Sequence, residues 1–327
     1  MNQYIGHPSQ ISGVEEVILA KGKGKGMTLL EVRNGKGLHV TLSADRCMDI
    51  ARIAYEGVNM GYFAPCGYVS PAFYDNKGMG FLQSFTAGFL TTCGLTAVGS
   101  PCLDDGRELP LHGTISNTPC EQFSYSETET EITIDACVRD ASLFGDQILL
   151  RRKYSCKKNE NTIEIRDCIE NIGSKTSPCM VLYHFNIGYP LLCEKTEVTI
   201  PFHAVKARDE HAQRDIENSL VMHEPTPGYK ERCYYYDVKG QSGVGTAMVY
   251  NDDMQKGLKL HFDKQTLDHF VQWKMLGEHE YVLGLEPANC TPDGRDIMRK
   301  ENKLRFLRPK EQYKTTLKIE FFNCEEK

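Results

Sequence analysis

The sequence predicts an all-β fold of largely antiparallel sheets with few short helices. The main observation is that apolar and polar residues alternate along many short segments, because a period of two is typical of half-buried strands. These segments are separated by turns rich in Gly, Asn and Asp, and convincing helical periodicity is scarce. Strands without long intervening helices favour two sheets that cover each other's apolar faces, in a large sandwich or barrel.

The alternation recurs along most of the chain. It is clearest in the segments 132–138, 162–166 and 258–262. The same pattern is found in 197–202, 245–250, 270–276, 281–286 and 316–322. The candidates for short helices are 43–50 and 80–90. Since no Pro- or Ser-rich linker, fixed repeat or low-complexity tract divides the chain, we expect residues 1–327 to form a single β domain.

Composition excludes several classes of protein. Hydrophobic residues make up 40% and charged residues 25% of the chain, as in an ordinary globular domain rather than a disordered or collagen-like one. The net charge of −6, from 38 basic and 44 acidic residues, argues against a nucleic-acid partner, whose phosphates need a basic surface. The most apolar run, at 179–183, is far shorter than the roughly 20 residues of a membrane span, so we expect no membrane partner.

Cysteine usage bears on the compartment. The 13 cysteines are odd in number and scattered, and no CxxC pair occurs. The first residues show neither the basic start nor the apolar stretch of a secretion signal. We therefore expect reduced thiols and a cytoplasmic location.

The glycine-rich segment 21–26 is a test case for a phosphate-binding loop. Such a loop needs a Gly-Lys-Ser/Thr ending followed by a helix, whereas this segment continues as a strand at 27–32. The sequence therefore favours a basic hairpin tip or flexible loop.

Three polar residues interrupt apolar or turn-bounded segments. His112 lies in Leu-Pro-Leu-His-Gly, and His184 lies inside the strongly apolar segment 181–186. Glu286 ends an apolar strand directly before Pro287, which closes the strand. Taken singly, each has an ordinary explanation as a satisfied histidine or a solvated carboxylate. A buried imidazole costs stability unless its ring nitrogens find partners, which makes the two histidines candidates for a site.

Together these residues resemble a known family. The motifs Leu-His-Gly at His112, Tyr-His-Phe-Asn-Ile-Gly-Tyr-Pro at His184 and Gly-Leu-Glu-Pro at Glu286 resemble the functional positions of the aldose 1-epimerases, which are galactose mutarotase-like proteins. The segments 43–50 and 90–95 are similar to a divergent bacterial branch with no settled substrate, the DUF4432 family. The order and spacing of the motifs are more specific than any single one.

This resemblance spans about 24–322 and implies a fold and a mechanism. It implies a β-supersandwich of about thirty strands with a sugar-binding cleft across one sheet. Glu286 would be the general base on the anomeric hydroxyl, and His184 the general acid on the ring oxygen, as an imidazolium that titrates near neutrality. His112 would hydrogen-bond the sugar, and Arg46 would grip hydroxyls or a carboxylate. The implied partner is a small-molecule sugar, with no cofactor, and the oligomeric state, a homodimer included, stays open.

Trp273 and Lys274 are neighbours on one predicted strand, and they bear differently on the expected sugar site. Trp273, the single tryptophan, is either a platform for the apolar face of a pyranose or part of the sandwich core. Lys274 should point to the opposite face of a regular strand. Mutarotases also carry an aspartate between the acid and the base that holds sugar hydroxyls, and neither Asp237, Asp253 nor Asp268 has a convincing context for that role.

Three functions remain open from the sequence. The first is a mutarotase-like isomerase of an aldose or modified sugar. The second is an epimerase, isomerase or lyase that acts on an acidic or keto sugar with the same groups, and the third is a non-catalytic sugar-binding protein. A catalytic metal is a weaker competitor, because none of the HExxH, HxH or Cys-pair spacings of metal sites occurs.

Overall fold

The computed structural model describes residues 3–324, which form a fold of 26 strands and a few short helices. The strands are β1 (Gly13–Ile18), β2 (Thr28–Arg33), β3 (Leu38–Ser43), β4 (Asp49–Tyr55), β5 (Val58–Asn59), β6 (Tyr62–Phe63), β7 (Ala87–Gly88), β8 (Leu90–Leu95), β9 (Cys102–Asp104), β10 (Arg107–Leu109), β11 (Cys120–Glu127), β12 (Glu131–Ala141), β13 (Gln147–Lys157), β14 (Thr162–Asn171), β15 (Ser177–Pro178), β16 (Met180–Ile187), β17 (Thr196–Thr199), β18 (Phe202–Ala207), β19 (Arg232–Val238), β20 (Gly240–Gln241), β21 (Val244–Asn251), β22 (Lys256–Asp263), β23 (His269–Gly277), β24 (Glu280–Ala288), β25 (Phe306–Leu307) and β26 (Gln312–Asn323). The helices are α1 (Glu210–Gln213), α2 (Arg295–Lys300) and 3₁₀ turns at Pro8–Gln10, Pro71–Phe73, Gly80–Gln83, Ile115–Asn117 and Ile216–Asn218.

Three large sheets organise these strands. One has five strands in the order β1-β2-β3-β4-β5. The second has nine, in the order β11-β12-β13-β14-β26-β22-β21-β17, with β20 paired to β21. The third has six, in the order β18-β19-β23-β24-β16-β8. Three two-stranded pairs, β6 with β7, β9 with β10 and β15 with β25, complete the fold. The predicted all-β architecture of largely antiparallel sheets is confirmed.

The strand predictions are confirmed, with one change. Seven of the eight alternating segments lie in β12, β14, β21, β22, β23, β24 and β26. The eighth, 197–202, is divided between β17 and the start of β18, which belong to different sheets. The glycine-rich segment 21–26 is the tip of the hairpin between β1 and β2, as expected. The single-domain organisation stays a prediction.

The first helix prediction is wrong, and the second is correct for one short turn. The segment 43–50 is the turn that joins β3 to β4, where Cys47 and Met48 have left-handed φ values of 55° and 53°. Two successive residues in that conformation reverse the chain and end any right-handed helix. In the segment 80–90, the 3₁₀ turn at Gly80–Gln83 is the one helical part, and β7 and β8 follow it.

The larger of two apolar clusters joins the three large sheets, and a buried ionic network crosses it. The Arg152 guanidinium on β13 lies 2.6 Å from Asp49 and 2.7 Å from Asp167. It also donates to the Thr92 hydroxyl on β8 at 2.8 Å. The Tyr183 hydroxyl on β16 donates to Asp167 at 2.7 Å. Because these charges are satisfied by one another, the network fixes β16 and β8 against the nine-stranded sheet, and β16 also carries His184.

Candidate active site

A cavity of about 280 Å³ opens on one face of the six-stranded sheet. Its lining brings together three of the residues predicted to act together, His112, His184 and Glu286, and also Trp273. The remaining lining residues are Met79, Phe81, Leu82, Phe85, Gly99, Ser100, Pro101, Leu111, Arg208, Glu231, Cys233 and Pro292. The lining is largely apolar with a few convergent polar groups, which is the usual composition of a small-molecule site.

Sheet register places His184 beside Glu286. The pairing of β16 with β24 matches Phe185 with Leu285 and Leu182 with Ala288, so it sets His184 opposite Glu286 on the same face. The Nε2 atom of His184 lies 3.2 Å from Oε1 of Glu286. The two residues are only 5% and 2% exposed, so their contact is shielded from bulk water.

Gly284 makes room for this pair. It lies opposite Trp273 on β23, two residues before Glu286 on β24. A Cβ atom built on Gly284 would lie 2.4 Å from Oε1 of Glu286, 2.9 Å from Cβ of Trp273 and 3.2 Å from Cε1 of His184. Any side chain at this position would therefore displace two of the predicted site residues.

His112 enters the cavity from a strained turn after β10. Its φ is 58°, in the left-handed region, and such a conformation in a residue other than glycine costs of order 1–3 kcal/mol unless the surroundings impose it. The turn is held from both sides, because the His112 amide donates to the Gly99 carbonyl at 2.9 Å and the Gly94 amide donates to the His112 carbonyl at 3.0 Å. Backbone strain at a half-buried histidine in a cavity wall is typical of functional sites.

Aromatic rings enclose both imidazoles. The His184 ring lies 5.4 Å from the rings of Phe85 and Trp273, and the His112 ring lies 5.4 Å from Phe81. The two imidazoles are 5.9 Å apart. Among the described residues, the buried Nδ1 atoms of both histidines and Oε1 of Glu286 have no aligned hydrogen-bond partner. Unsatisfied buried polar atoms are costly, so their convergence on one cavity fits a polar ligand.

Burial sets the protonation of these groups. Burial, with a smaller effect of His112, lowers the pKa of His184 to about 3, and burial lowers the pKa of His112 to about 4. Burial, followed by the charge of Glu231, raises the pKa of Glu286 well above its ordinary 4.5. The expectation of a His184 that titrates near neutrality is therefore wrong for the free protein. Burial therefore favours the neutral forms of both groups, a protonated carboxyl group and a neutral imidazole.

Trp273, Glu231 and Arg208 form a chain along the cavity wall. The Trp273 indole Nε1 donates to Oε2 of Glu231 at 2.7 Å, and Nη2 of Arg208 donates to Oε1 of the same carboxylate at 3.0 Å. The sequence reasoning missed Glu231 and Arg208, which lie immediately before β19 and after β18. Their position at strand ends was the available signal, but many other charged residues share it.

Arg46 does not join the cavity, and its predicted contact with sugar is corrected here. The residue is 6% exposed, and its guanidinium donates to the backbone carbonyls of Ser116, Val69 and Ser84 at 2.5, 3.1 and 2.8 Å. Three donor bonds to backbone leave the guanidinium committed inside the protein. Arg46 therefore has no direct part in the lining of the cavity.

Lys274 and the three aspartates also lie away from the cavity. Nζ of Lys274 donates to the carbonyls of Asn218 and Val221, on the face of β23 opposite Trp273, as expected. Asp237, Asp253 and Asp268 form ion pairs with Lys264, Lys195 and Arg305, respectively. None of the three lines the cavity. The carboxylate that does line it, between His184 and Glu286 in sequence, is Glu231.

Membrane-spanning helices and metal-binding clusters are both absent from residues 3–324. No helix in that range is long and apolar enough to cross a membrane. No group of three or more His, Cys, Asp or Glu side chains in that range is arranged to hold a metal ion. A larger depression of about 640 Å³ lies on the outer face of the nine-stranded sheet, and none of the predicted site residues lines it.

Comparison with solved structures identifies the class of protein as the galactose mutarotase-like fold. A Klebsiella pneumoniae protein provisionally described as an aldose 1-epimerase matches with a TM-score of 0.90 at 24% identity, over 96% of this chain and 84% of that one. A galactose mutarotase-like protein from Clostridium acetobutylicum matches with a TM-score of 0.69 at 13% identity, over 96% and 99% of the two chains. A galactose 1-epimerase from Lactobacillus acidophilus matches with a TM-score of 0.64 at 14% identity, over 95% and 99%.

Sequence comparison names the family. Residues 24–321 match the family model described as a domain of unknown function, DUF4432, so the chain belongs to that family. A search of curated protein sequences gives no match. At identities below 25%, the structural similarities establish the sugar epimerase-like fold, and the activity has to be argued from the cavity itself.

Proposed function

We propose that this protein is an isomerase that interconverts the anomers of an aldose or modified sugar by opening and reclosing its ring. The observation that carries the proposal is the 3.2 Å contact between Nε2 of His184 and Oε1 of Glu286 in a small buried cavity. The reaction needs a base and an acid close together, because one proton must leave the anomeric hydroxyl and another must reach the ring oxygen. The carboxyl group of Glu286 and the imidazole of His184 can supply both.

The resting pair and the reactive pair differ by one proton transfer. In the free protein, burial raises the pKa of Glu286 and lowers that of His184, which favours a protonated carboxyl group and a neutral imidazole. The Nε2 atom of His184 and Oε1 of Glu286 are 3.2 Å apart, and a proton transfer from Glu286 to His184 on substrate binding would create a carboxylate base and an imidazolium acid without changing the net charge. Sugar hydroxyls and the Arg208 guanidinium would favour the Glu286 carboxylate of the ionic form, whereas Glu231 opposes it.

The proposed chemistry follows from that ionic form. The Glu286 carboxylate accepts the proton of the anomeric hydroxyl while the His184 imidazolium gives its proton to the ring oxygen, and the bond between C1 and the ring oxygen breaks. The open-chain aldehyde rotates about its C1–C2 bond. The reverse proton transfers then close the ring on either face of the carbonyl carbon, which yields both anomers.

The remaining polar groups would bind the sugar. We assign hydroxyl binding to His112, whose buried Nδ1 atom has no partner among the described residues, and to Glu231. Trp273 would pack against the C–H face of the ring, held in place by its bond to Glu231. The apolar side chains Phe81, Phe85 and Leu82 exclude water from the opposite side.

A second candidate function is isomerisation or epimerisation of an acidic sugar at the same site. The observation that favours it is Arg208, a cation that lines the cavity. Its side chain is 30% exposed, so a ligand can reach it. An arginine can bind a carboxylate or sulfate through two parallel N–H bonds. The guanidinium of Arg208 already donates a hydrogen bond to Glu231, which leaves fewer of its N–H groups for an acidic ligand. Anomer exchange of a neutral or modified aldose therefore remains the first proposal.

The test is to follow anomer exchange by NMR with neutral, acidic and sulfated sugars that raise the melting temperature of the protein. We expect E286Q and H184A each to lower the catalysed rate by about 10²–10⁴-fold while leaving the circular dichroism spectrum unchanged. Matched controls come from His261 and Glu320, a second histidine and glutamate pair 3.7 Å apart, outside the cavity. H261A and E320Q should retain the rate.

Other outcomes would reassign the function. Position-specific deuterium uptake at carbon, or a product with new connectivity, would show a different isomerase or a lyase. Sugars that bind and raise the melting temperature without any turnover would show a non-catalytic binding protein. Full activity of E286Q would refute the proposed base.

A further inference from the structure

The segment 70–84, which we call the cap, covers the cavity and has no regular strand. It carries Met79, Phe81 and Leu82 to the cavity wall, and it contains two of the 3₁₀ turns. Met79 and Leu82 are 55% and 54% exposed, whereas Phe81 is buried at 1%, so the cap contributes both the mouth and the inner wall. A segment with few ladder bonds needs other contacts to hold one position.

Arg46 supplies such contacts at both ends of the cap. Its Nη1 atom donates to the carbonyl of Val69, directly before the cap, and to the carbonyl of Ser84, at its end. Its Nε atom donates to the carbonyl of Ser116, in the 3₁₀ turn that follows the His112 segment. One buried guanidinium thus joins three residues that lie outside the strands, beyond the β6–β7 pair that closes the base of the cap.

The cap is in turn bonded on each side of His112. The Leu111 amide donates to the Gly78 carbonyl at 3.1 Å, and the Tyr74 hydroxyl donates to the Gly113 carbonyl at 3.0 Å. The Phe81 ring also packs 5.4 Å from the His112 ring. The strained conformation of His112 is therefore supported from the cap, so a change in the cap position moves this imidazole.

We propose that Arg46 is a positioning residue, which fixes the cap and through it the imidazole of His112 over the substrate cavity. The expected effect of Arg46 on sugar turnover rests on the proposed function. Its expected effect on the position of the cap does not. Arginine suits it because its planar guanidinium presents donors in fixed directions to several carbonyls at once. Because Arg46 donates to these backbone carbonyls, they are not free to accept hydrogen bonds from a sugar.

The test uses R46M and R46K, with Y74F as a variant that removes one cap contact and leaves Arg46 in place. Hydrogen exchange of the whole protein is followed by mass spectrometry on peptides that cover the cap, the residues 108–117, and β23 with β24. We expect R46M to speed exchange at least about tenfold in the cap and in 108–117 while β23 and β24 stay protected. R46K, which keeps a donor, should give an intermediate effect, and Y74F a smaller one at the same peptides.

Kinetics supply the second measurement. With the sugar that the wild-type protein turns over, we expect R46M to raise KM by about tenfold and to change kcat less, because His112 and the cap bind substrate while the proton-transfer pair lies on β16 and β24. R46K should recover part of the KM. R166M, a change at an exposed arginine on β14, is the matched control and should alter neither measurement.

Each result bears on the proposal. Unchanged hydrogen exchange in the cap of R46M overturns the proposal. Exchange that is accelerated equally in β23 and β24 also overturns it, because Arg46 would then stabilise the fold as a whole and not the cap in particular. A fall in kcat with an unchanged KM also overturns it. If R46M does not fold, R46K and Y74F make the same comparison. If wild-type protein turns over no sugar, the proposed function fails, whereas the exchange experiment still decides the role of Arg46.

Discussion

His184 and Glu286 face each other across neighbouring antiparallel strands, with Nε2 of the imidazole 3.2 Å from Oε1 of the carboxyl group. Both side chains are buried, and their pKa values shift in opposite directions for the same reason, the loss of hydration of the charged forms. The pairing of the two strands therefore positions the two side chains, and burial shifts their pKa values toward the neutral forms. Four experiments follow from this relationship and its surroundings.

The pH dependence of activity should lack the acid limb of an ordinary histidine. His184 accepts a second proton for the pair only near pH 3, so we expect kcat/KM to stay constant as the pH falls from 7 to about 5. On the alkaline side, activity should fall once the pair loses its shared proton. The rate of anomer exchange measured by NMR from pH 4.5 to 9 tests this, and an inflection near pH 6.5 in kcat/KM would contradict the neutral pair.

The stability of E286Q relative to wild type should increase with pH. Glu286 in the unfolded chain ionises near pH 4.5, whereas burial raises its pKa in the folded protein, so the wild type loses stability as the pH rises above 4.5. The slope is up to about 1.4 kcal/mol per pH unit until the folded-state pKa is reached. Urea midpoints of both proteins at pH 5, 6, 7 and 8 measure it. E320Q is the control, and parallel curves for E286Q and wild type would refute the raised pKa.

G284A should disable the site while the strand survives. The added methyl group meets Oε1 of Glu286 at 2.4 Å, so the carboxyl group or Trp273 must move. We expect a loss of stability of about 1–3 kcal/mol, as for other overpacked cores, and a fall in kcat/KM of more than about tenfold. G277A, on β23, is the matched control, because its methyl group would approach the flexible end of Met275 at 3.0 Å and would lie at an ordinary contact distance of 3.7 Å from Glu280. Wild-type kinetics for G284A would show that the pair does not need this space.

E231A should weaken sugar binding more than it slows proton transfer. Removing the carboxylate takes away the partner of the Trp273 indole and of Arg208, but it leaves His184 and Glu286 in place. We expect KM to rise about tenfold with a smaller change in kcat. E231Q, which can still accept a hydrogen bond from the indole, should recover part of the KM. A fall confined to kcat would instead assign Glu231 to the chemistry.

Much of the architecture was predictable because strand periodicity is a local property. The alternating residues of 162–166 and 258–262 pair on either side of β26, where half-buried strands were expected. The turn at 43–50 was misread because Cys47 and Met48 adopt left-handed conformations that neither residue type favours. Such conformations are imposed by tertiary contacts, which short sequence windows do not contain.

The site was predictable in part. His112, His184 and Glu286 were found because their motifs resemble a family, and the structure brings them to one cavity. Arg46 was misassigned because a guanidinium that binds carbonyls and one that binds sugar look identical in sequence. Glu231 was missed because its partners, Trp273 and Arg208, are distant in the chain and meet it only through the sheet order β18-β19-β23.

Trp273 is the single tryptophan of the chain, and it lies in the wall of the cavity. Its indole N–H is bonded to a carboxylate and its ring neighbours His184, so its near-ultraviolet emission reports from one location and carries no background from other indoles. Titrating candidate sugars while recording this fluorescence gives a label-free binding assay in unmodified protein. The sugar concentration at half-maximal change in emission would rank ligands by affinity before any turnover assay exists for them.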